Sequence, residues 1–301
     1  MNETERTVIL AALKQKTVTL PDQTHVRALG QGTWRMGEDQ SKRQAEIEAL
    51  HVGLDSGMEL IDTAEMYGEG ASEQLIREVL KERRDDVFLV SKVYPHNAGG
   101  EKLRAACEQS LKNLGTDYLD LYLLHWRGSI PLQETVDGLE QLKAEGKIRR
   151  WGVSNFDVSD MKELLSLRNG DQCAVNQVLY HLGSRGIEYE LMPLLKQHGI
   201  PVMAYCPLAE GGDLREQLLD HPTVERLAEE HGVKPAQILL AWAIRSGDVI
   251  AIPKAGQAKH VEENGKAALV ELTDEEYAAL DEAFPAPTKK NHLISSKEEQ
   301  S

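Results

Sequence analysis

The sequence predicts an α/β fold of one kind, a closed (β/α)8 TIM barrel entered through a short N-terminal β-hairpin. Three observations predict it. Helical periodicity and short apolar runs alternate along nearly the whole chain. The short runs are apolar throughout rather than at every second position, as parallel strands covered on both faces must be. No stretch rich in Pro, Gly or Ser divides the chain, and no GxGxxG follows the first strand, which disfavours an open dinucleotide-binding sheet. A chain of 301 residues suits one such barrel, since barrels commonly run to about 250 residues or more as single domains.

Each element has its own signal. Residues 1–16 find no partner in the pattern and read as an N-terminal extension to a single domain over 17–285, with a polar tail over 286–301. Thr17 to Leu20, the turn Pro21-Asp22 and His25 to Leu29 form the hairpin. Ser41 with Gln44 spells a capping box for a helix through Ile47, Leu50 and Leu54 that Gly57 ends. Strands are expected at 59–62, 87–90, 119–124, 150–153, 173–176, 202–205, 249–252 and, as the eighth, 269–272. Helices between them cover 72–81, 101–114, the span from Pro131 to Gly146, 158–167, 189–197, 224–230 and 235–245. Thr273 with Glu276 caps a last helix.

Composition narrows the function. Hydrophobic residues at 41% and charged residues at 28% are those of a folded globular chain. A formal charge of −15 repels phosphate backbones, so no nucleic-acid partner is expected. Cys107, Cys173 and Cys206 are odd in number and show no CxxC, which argues against a disulfide framework or zinc site and fits a reducing cytoplasm. The histidines show neither HExxH nor paired spacing, so no metal is expected. The apolar run Val8 to Leu13 is too short for a signal peptide or membrane span. The expectation is a cytoplasmic protein with no membrane partner, a monomer or weak homo-oligomer.

One polar group stands at or after each strand: Asp62, Lys92, His125, Ser154 with Asn155, Gln177, Tyr205 and Lys254. Each alone has an ordinary reading as a cap, a solvated charge or a loop bridge. Together, in a barrel, they converge on the C-terminal face, where barrel active sites lie.

These residues sit in DTAEMYG (62–68), VSK (90–92), LLHW (123–126), GVSNF (152–156), NQ (176–177), AYCPL (204–208) and IPKA (252–255). In that order the seven blocks resemble the aldo-keto reductase family over roughly residues 28–284. The stretches LIDTAEMYGEG and SKVYPHNAGG resemble its bacterial methylglyoxal reductases. The resemblance implies NADPH-dependent reduction of small aldehydes and ketones, methylglyoxal and related 2-oxoaldehydes foremost, by a tetrad of Asp62, Tyr67, Lys92 and His125. Tyr67 would donate the proton, Lys92 would lower the pKa of its phenol, Asp62 would hold Lys92, and His125 would polarise the carbonyl. The cofactor site implied is Gly32, Thr33, Trp34 and Asp62, then Ser154, Asn155 and Gln177 at the carboxamide. Tyr205 would stack on the nicotinamide, followed by Pro207 and Leu208. Lys254 and His260 would lie at the 2′-phosphate, with Glu263 and Asn264 near the adenine. Trp34, Tyr67, Tyr94, His125 and Trp126 would line the substrate pocket.

Two departures matter. Ala255 stands where the family often has Ser or Thr, and His260 where it often has Arg, so a bidentate phosphate partner is missing. NADPH is still expected to be preferred, with NADH use open. Two other readings compete: an NADPH-binding regulatory protein on the same fold with little turnover, and a barrel lyase using Lys92 as a Schiff base.

Overall fold

Eight short parallel strands wind in chain order around one axis in a computed structural model that describes residues 3–290. They are β3 (Gln31–Gly32), β4 (Leu60–Asp62), β5 (Phe88–Val93), β6 (Leu121–Leu124), β7 (Trp151–Ser154), β8 (Asn176–Leu179), β9 (Val202–Tyr205) and β10 (Val249–Ala251). Each pairs in parallel with the next. Parallel bridges from Leu29 to Ala251 and from Gly32 to Lys254 join the last strand to the first and close the barrel. Only glycine fits at this seam, because a Cβ on Gly32 would stand 2.7 Å from the Ile252 carbonyl oxygen.

Helices cover the outside: α2 (Arg43–Asp55), α3 (Ala71–Arg83), α4 (Gly100–Leu114), α5 (Leu132–Ala144), α6 (Val158–Ser166), α7 (Leu191–Gln197), α8 (Gly212–Leu219), α9 (Pro222–His231), α10 (Pro235–Ala243), α11 (Ala258–Gly265) and α12 (Asp274–Ala283). The expected stops hold. Gly57 and Gly115 follow α2 and α4 in the left-handed conformation, and Thr273 and Glu276 cap α12 reciprocally.

At the N-terminal end of the barrel the hairpin β1 (Thr17–Thr19) and β2 (His25–Arg27) pairs antiparallel, as expected. The segment before it, read as an extension, is helix α1 (Glu3–Gln15), and it buries Ile9 and Leu13 completely. Of the tail over 286–301, residues 291–301 lie outside the described residues.

Four expectations are corrected. The eighth strand is not 269–272, which starts on the last residue of a 3-10 turn over Lys266–Leu269; the missing strand is β3, too short and too polar to read as one. The Ser41–Gln44 box does not form: α2 starts at Arg43 after an uncapped Lys42, and the Ser41 hydroxyl donates to Asp39 instead. Strand β8 begins at Asn176 rather than Cys173, so Gln177 lies within it. Strand β5 runs on to Val93, so Lys92 also lies inside a strand. In β8 the inward Gln177 and in β5 the outward Ser91 were mistaken for the end of the strand.

Candidate active site

The site grows from β4 and β5. Asp62 ends β4 and Lys92 is the fifth residue of β5, and both side chains are almost wholly buried. Lys92 Nζ donates to Asp62 Oδ2 at 2.7 Å, to the Thr63 carbonyl at 2.8 Å and to Tyr67 Oη at 3.0 Å. Three oxygens around an ammonium satisfy all its donors. Gln177 Nε2 donates to the other carboxylate oxygen of Asp62 at 2.7 Å. An ion pair this deep is sustained only by such complete hydrogen bonding. Burial still pulls the Lys92 pKa down and pushes that of Asp62 up, each opposed by its partner's charge.

Tyr67 reaches this pair because of the turn it opens. Gly68, Glu69 and Gly70 all have positive φ, at 56°, 52° and 92°. Two glycines make that possible, and Glu69 bears the strain of the position between them. The phenol is not pulled down as the resemblance suggested. Burial pushes its pKa well above the ordinary tyrosine value, and the Asp62 carboxylate adds to that. Cys206 acts in the same direction, so the hydroxyl stays protonated.

His125 follows β6 and is nearly buried. Burial, then the Lys92 charge, drives its pKa well below the usual value, so the ring is neutral. Its Nδ1 is buried with no hydrogen-bond partner among the described residues, an unusual cost for the fold to carry. An aromatic chain runs outward: Tyr67 edge-on to His125 at 6.0 Å, His125 beside Trp126 at 4.9 Å, and Trp126 edge-on to Tyr94 at 5.9 Å. Trp34 is not part of this chain; the Arg35 guanidinium covers its ring at 4.3 Å.

The expected cofactor residues fall into two groups. On β7 to β9, Asn155 bonds the His125 carbonyl and the Ser154 hydroxyl, and Tyr205 Oη donates to Asn155 Oδ1 at 2.8 Å. Ser154 itself donates to the Gln177 carbonyl at 2.8 Å. Asn155 and Cys206 hold positive φ straight after their strands, as do Arg35 and Glu69 in the loops after β3 and β4. Such strain collects at binding sites. Gly32 and Thr33 lie at the end of β3, and Pro207 and Leu208 follow β9. At the seam, Lys254 is exposed and makes no ion pair among the described residues, which suits an anion. His260 turns to Glu263 at 3.4 Å, and Glu263 also holds Lys234, so both are engaged with neighbours on the α11 side. Asn264 is nearly buried on α11. The exposed Lys254 ammonium, with no ion pair among the described residues, and the half-buried Tyr205 ring together fit a phosphorylated nicotinamide cofactor.

Sequence reading named Thr33 only at the cofactor and missed the other supports. Thr33, Thr63 and Ser72 form a buried hydroxyl cluster, with Ser72 Oγ donating to Thr33 Oγ1 at 2.8 Å and Thr63 Oγ1 to Ser72 Oγ at 3.1 Å. Glu65 accepts from the Tyr94 backbone N–H at 2.6 Å and from Asn97 at 3.2 Å, fixing the aromatic rim. Thr63 and Glu65 lie inside DTAEMYG and Ser72 just after it, but the partners Thr33 and Asn97 are distant in sequence.

The chain is 54% identical to methylglyoxal reductase YeaE of Escherichia coli (strain K12), over 93% of this chain and 99% of that one. It is 37% identical to a glyoxal reductase of Bacillus subtilis (strain 168), over 78% of this chain and 82% of the other. A crystal structure of an aldo/keto reductase from Klebsiella pneumoniae in complex with NADP and acetate superposes with a TM-score of 0.91 at 54% identity, covering 93% of this chain and 99% of that one. The model of the aldo/keto reductase family matches residues 28–284, and the chain belongs to that family.

Proposed function

We propose that this protein reduces small aldehydes and ketones with NADPH, methylglyoxal and related 2-oxoaldehydes being the preferred substrates. One observation carries the reading: a protonated phenol, Tyr67, held 3.0 Å from the buried Lys92 ammonium beside a neutral His125. Ser154, Asn155 and Gln177 would hold the carboxamide, Tyr205 the nicotinamide ring and Lys254 the 2′-phosphate. When bound, the cofactor supplies the hydride. The protein's residues manage the proton and the charge. His125, neutral, donates a hydrogen bond to the substrate carbonyl oxygen. Tyr67 gives its proton to that oxygen as negative charge builds there. The resulting phenolate is stabilised by the ammonium it already touches, and Asp62 keeps that ammonium in place. Tyr94 and Trp126 shape the entrance.

The preference for NADPH over NADH is moderate in this reading, because Ala255 offers no hydroxyl and His260 is paired with Glu263. The lyase alternative needs a neutral amine free to attack a carbonyl, whereas Lys92 is fully buried with three oxygen partners. The purely regulatory alternative leaves the assembled tetrad unexplained. Loss of absorbance at 340 nm, followed with a panel of carbonyls and both cofactors, tests the proposal. Turnover is expected with NADPH and 2-oxoaldehydes; no turnover with any carbonyl would overturn it.

A further inference from the structure

Behind the barrel wall lies a carboxylate that the mechanism above does not use. Glu73 stands in the first turn of α3 with no exposure at all. It accepts from Ser91 Oγ at 2.7 Å and from Asn113 Nδ2 at 2.9 Å. Both donors are neutral, and no cation forms an ion pair with it among the described residues. A buried carboxylate without a direct counter-ion is costly, so its surroundings matter.

Ser91 immediately precedes Lys92 on β5. Successive strand side chains point to opposite faces, so Ser91 meets Glu73 outside the barrel while Lys92 enters the mouth. Asn113, the other donor, packs beneath Gly70, where a Cβ would stand 2.7 Å from Asn113 Nδ2. Gly70 ends the turn that Tyr67 begins, and α3 starts at the next residue. One carboxylate therefore ties the strand presenting the ammonium to the helix and turn presenting the phenol.

Burial raises the Glu73 pKa, opposed by the hydrogen bonds from Asn113 and Ser91, and the carboxylate lies behind Lys92 rather than in the mouth. Glu73 favours the charged form of Lys92 against burial, in addition to the larger effect of Asp62. The other groups facing Lys92 are Tyr67 and the neutral His125. Those facing Glu73 are Glu65, Cys107 and Tyr122. Burial lifts the Cys107 thiol to about 12 and the Tyr122 phenol well above its ordinary value, so neither is an anion at neutral pH.

We propose that Glu73 is a positioning residue for the Tyr67–Lys92 contact and a second buried counter-charge to Lys92, acting through the barrel wall. Its effect on turnover rests on the reductase reading; its effect on Lys92 does not. The test is a titration of the cofactor-free protein carrying 13Cε-labelled lysine, with the Lys92 resonance assigned by its absence from Lys92→Met. In Glu73→Gln, Lys92 loses its proton at lower pH than in the parent, by at least about 0.5 unit. The basic limb of the kcat–pH profile moves the same way, while KM for methylglyoxal changes less than about twofold. Glu73→Asp keeps the charge and restores the Lys92 titration. An unmoved Lys92 titration in Glu73→Gln, or Glu73→Asp behaving like Glu73→Gln, overturns the proposal. If Glu73→Gln does not fold, Ser91→Ala decides: it is expected to lower kcat with the basic limb in place, and unchanged kcat contradicts a positioning role. Should the parent protein reduce no carbonyl, the NMR titration still decides the charge role of Glu73 alone.

Discussion

At the N-terminal end of the barrel the hairpin lays Val18, Leu20 and Val26 over the strand starts, and its polar atoms go to surface partners such as Arg150, which bonds Asp22 at 2.6 Å. At the C-terminal end the same strands deliver Asp62, Lys92, Gln177 and His125 into the interior, along with backbone strain at Asn155 and Cys206. The floor buries apolar surface and keeps its ion pairs, such as Arg150–Asp22 and Arg27–Glu59, partly exposed. The mouth buries charges and leaves one imidazole nitrogen unpartnered. The contrast teaches where the fold's stability is generated and where it is spent: packing at one end sustains costly polar groups at the other.

The comparison can be broken at either end. The largest effect is expected from Lys92→Met at the mouth. Turnover should fall about 100- to 10,000-fold, and the stranded Asp62 carboxylate should lower stability by about 3–5 kcal/mol; steady-state kinetics and urea unfolding measure the two. On the floor side, Leu13→Ala in α1 removes a fully buried side chain. It should cost about 2–5 kcal/mol of stability in urea unfolding with kcat per folded molecule unchanged. A fall in kcat would show that the two ends are coupled. Lys254→Ala sharpens the cofactor side of the mouth. The dissociation constant for NADPH, followed by fluorescence quenching, should rise about tenfold while that for NADH stays within about twofold. Smallest of all, Asp22→Asn loosens an exposed pair with Arg150 and should change stability by no more than about 1 kcal/mol.

Most of the barrel was legible because its strands are short, apolar and regularly spaced, and because caps such as Thr273–Glu276 and stops such as Gly57 and Gly115 act locally. The first strand was not. Gln31–Gly32 is two residues long, and its place in the sheet depends on the close approach of Gly32 to Ile252, a contact between residues far apart in sequence. The tetrad was legible as a set of positions, since Asp62 ends a strand, Lys92 stands one residue before the end of one, and Tyr67 and His125 follow strands. Its electrostatics were not. That Lys92 serves Asp62, Thr63 and Tyr67 at once, and that the phenol is held neutral, depend on burial and on distances that no spacing encodes. Gln177 was expected to serve the cofactor, yet it also braces Asp62, a contact between residues 115 apart in sequence.

Single-turnover oxidation of prebound NADPH by methylglyoxal, measured in Tyr67→Phe against the parent protein, tests proton donation by Tyr67 most directly. The account predicts cofactor binding within about twofold of the parent and a rate of nicotinamide oxidation lower by at least about 100-fold. A Tyr67→Phe protein that oxidises the bound cofactor at the parental rate would contradict it.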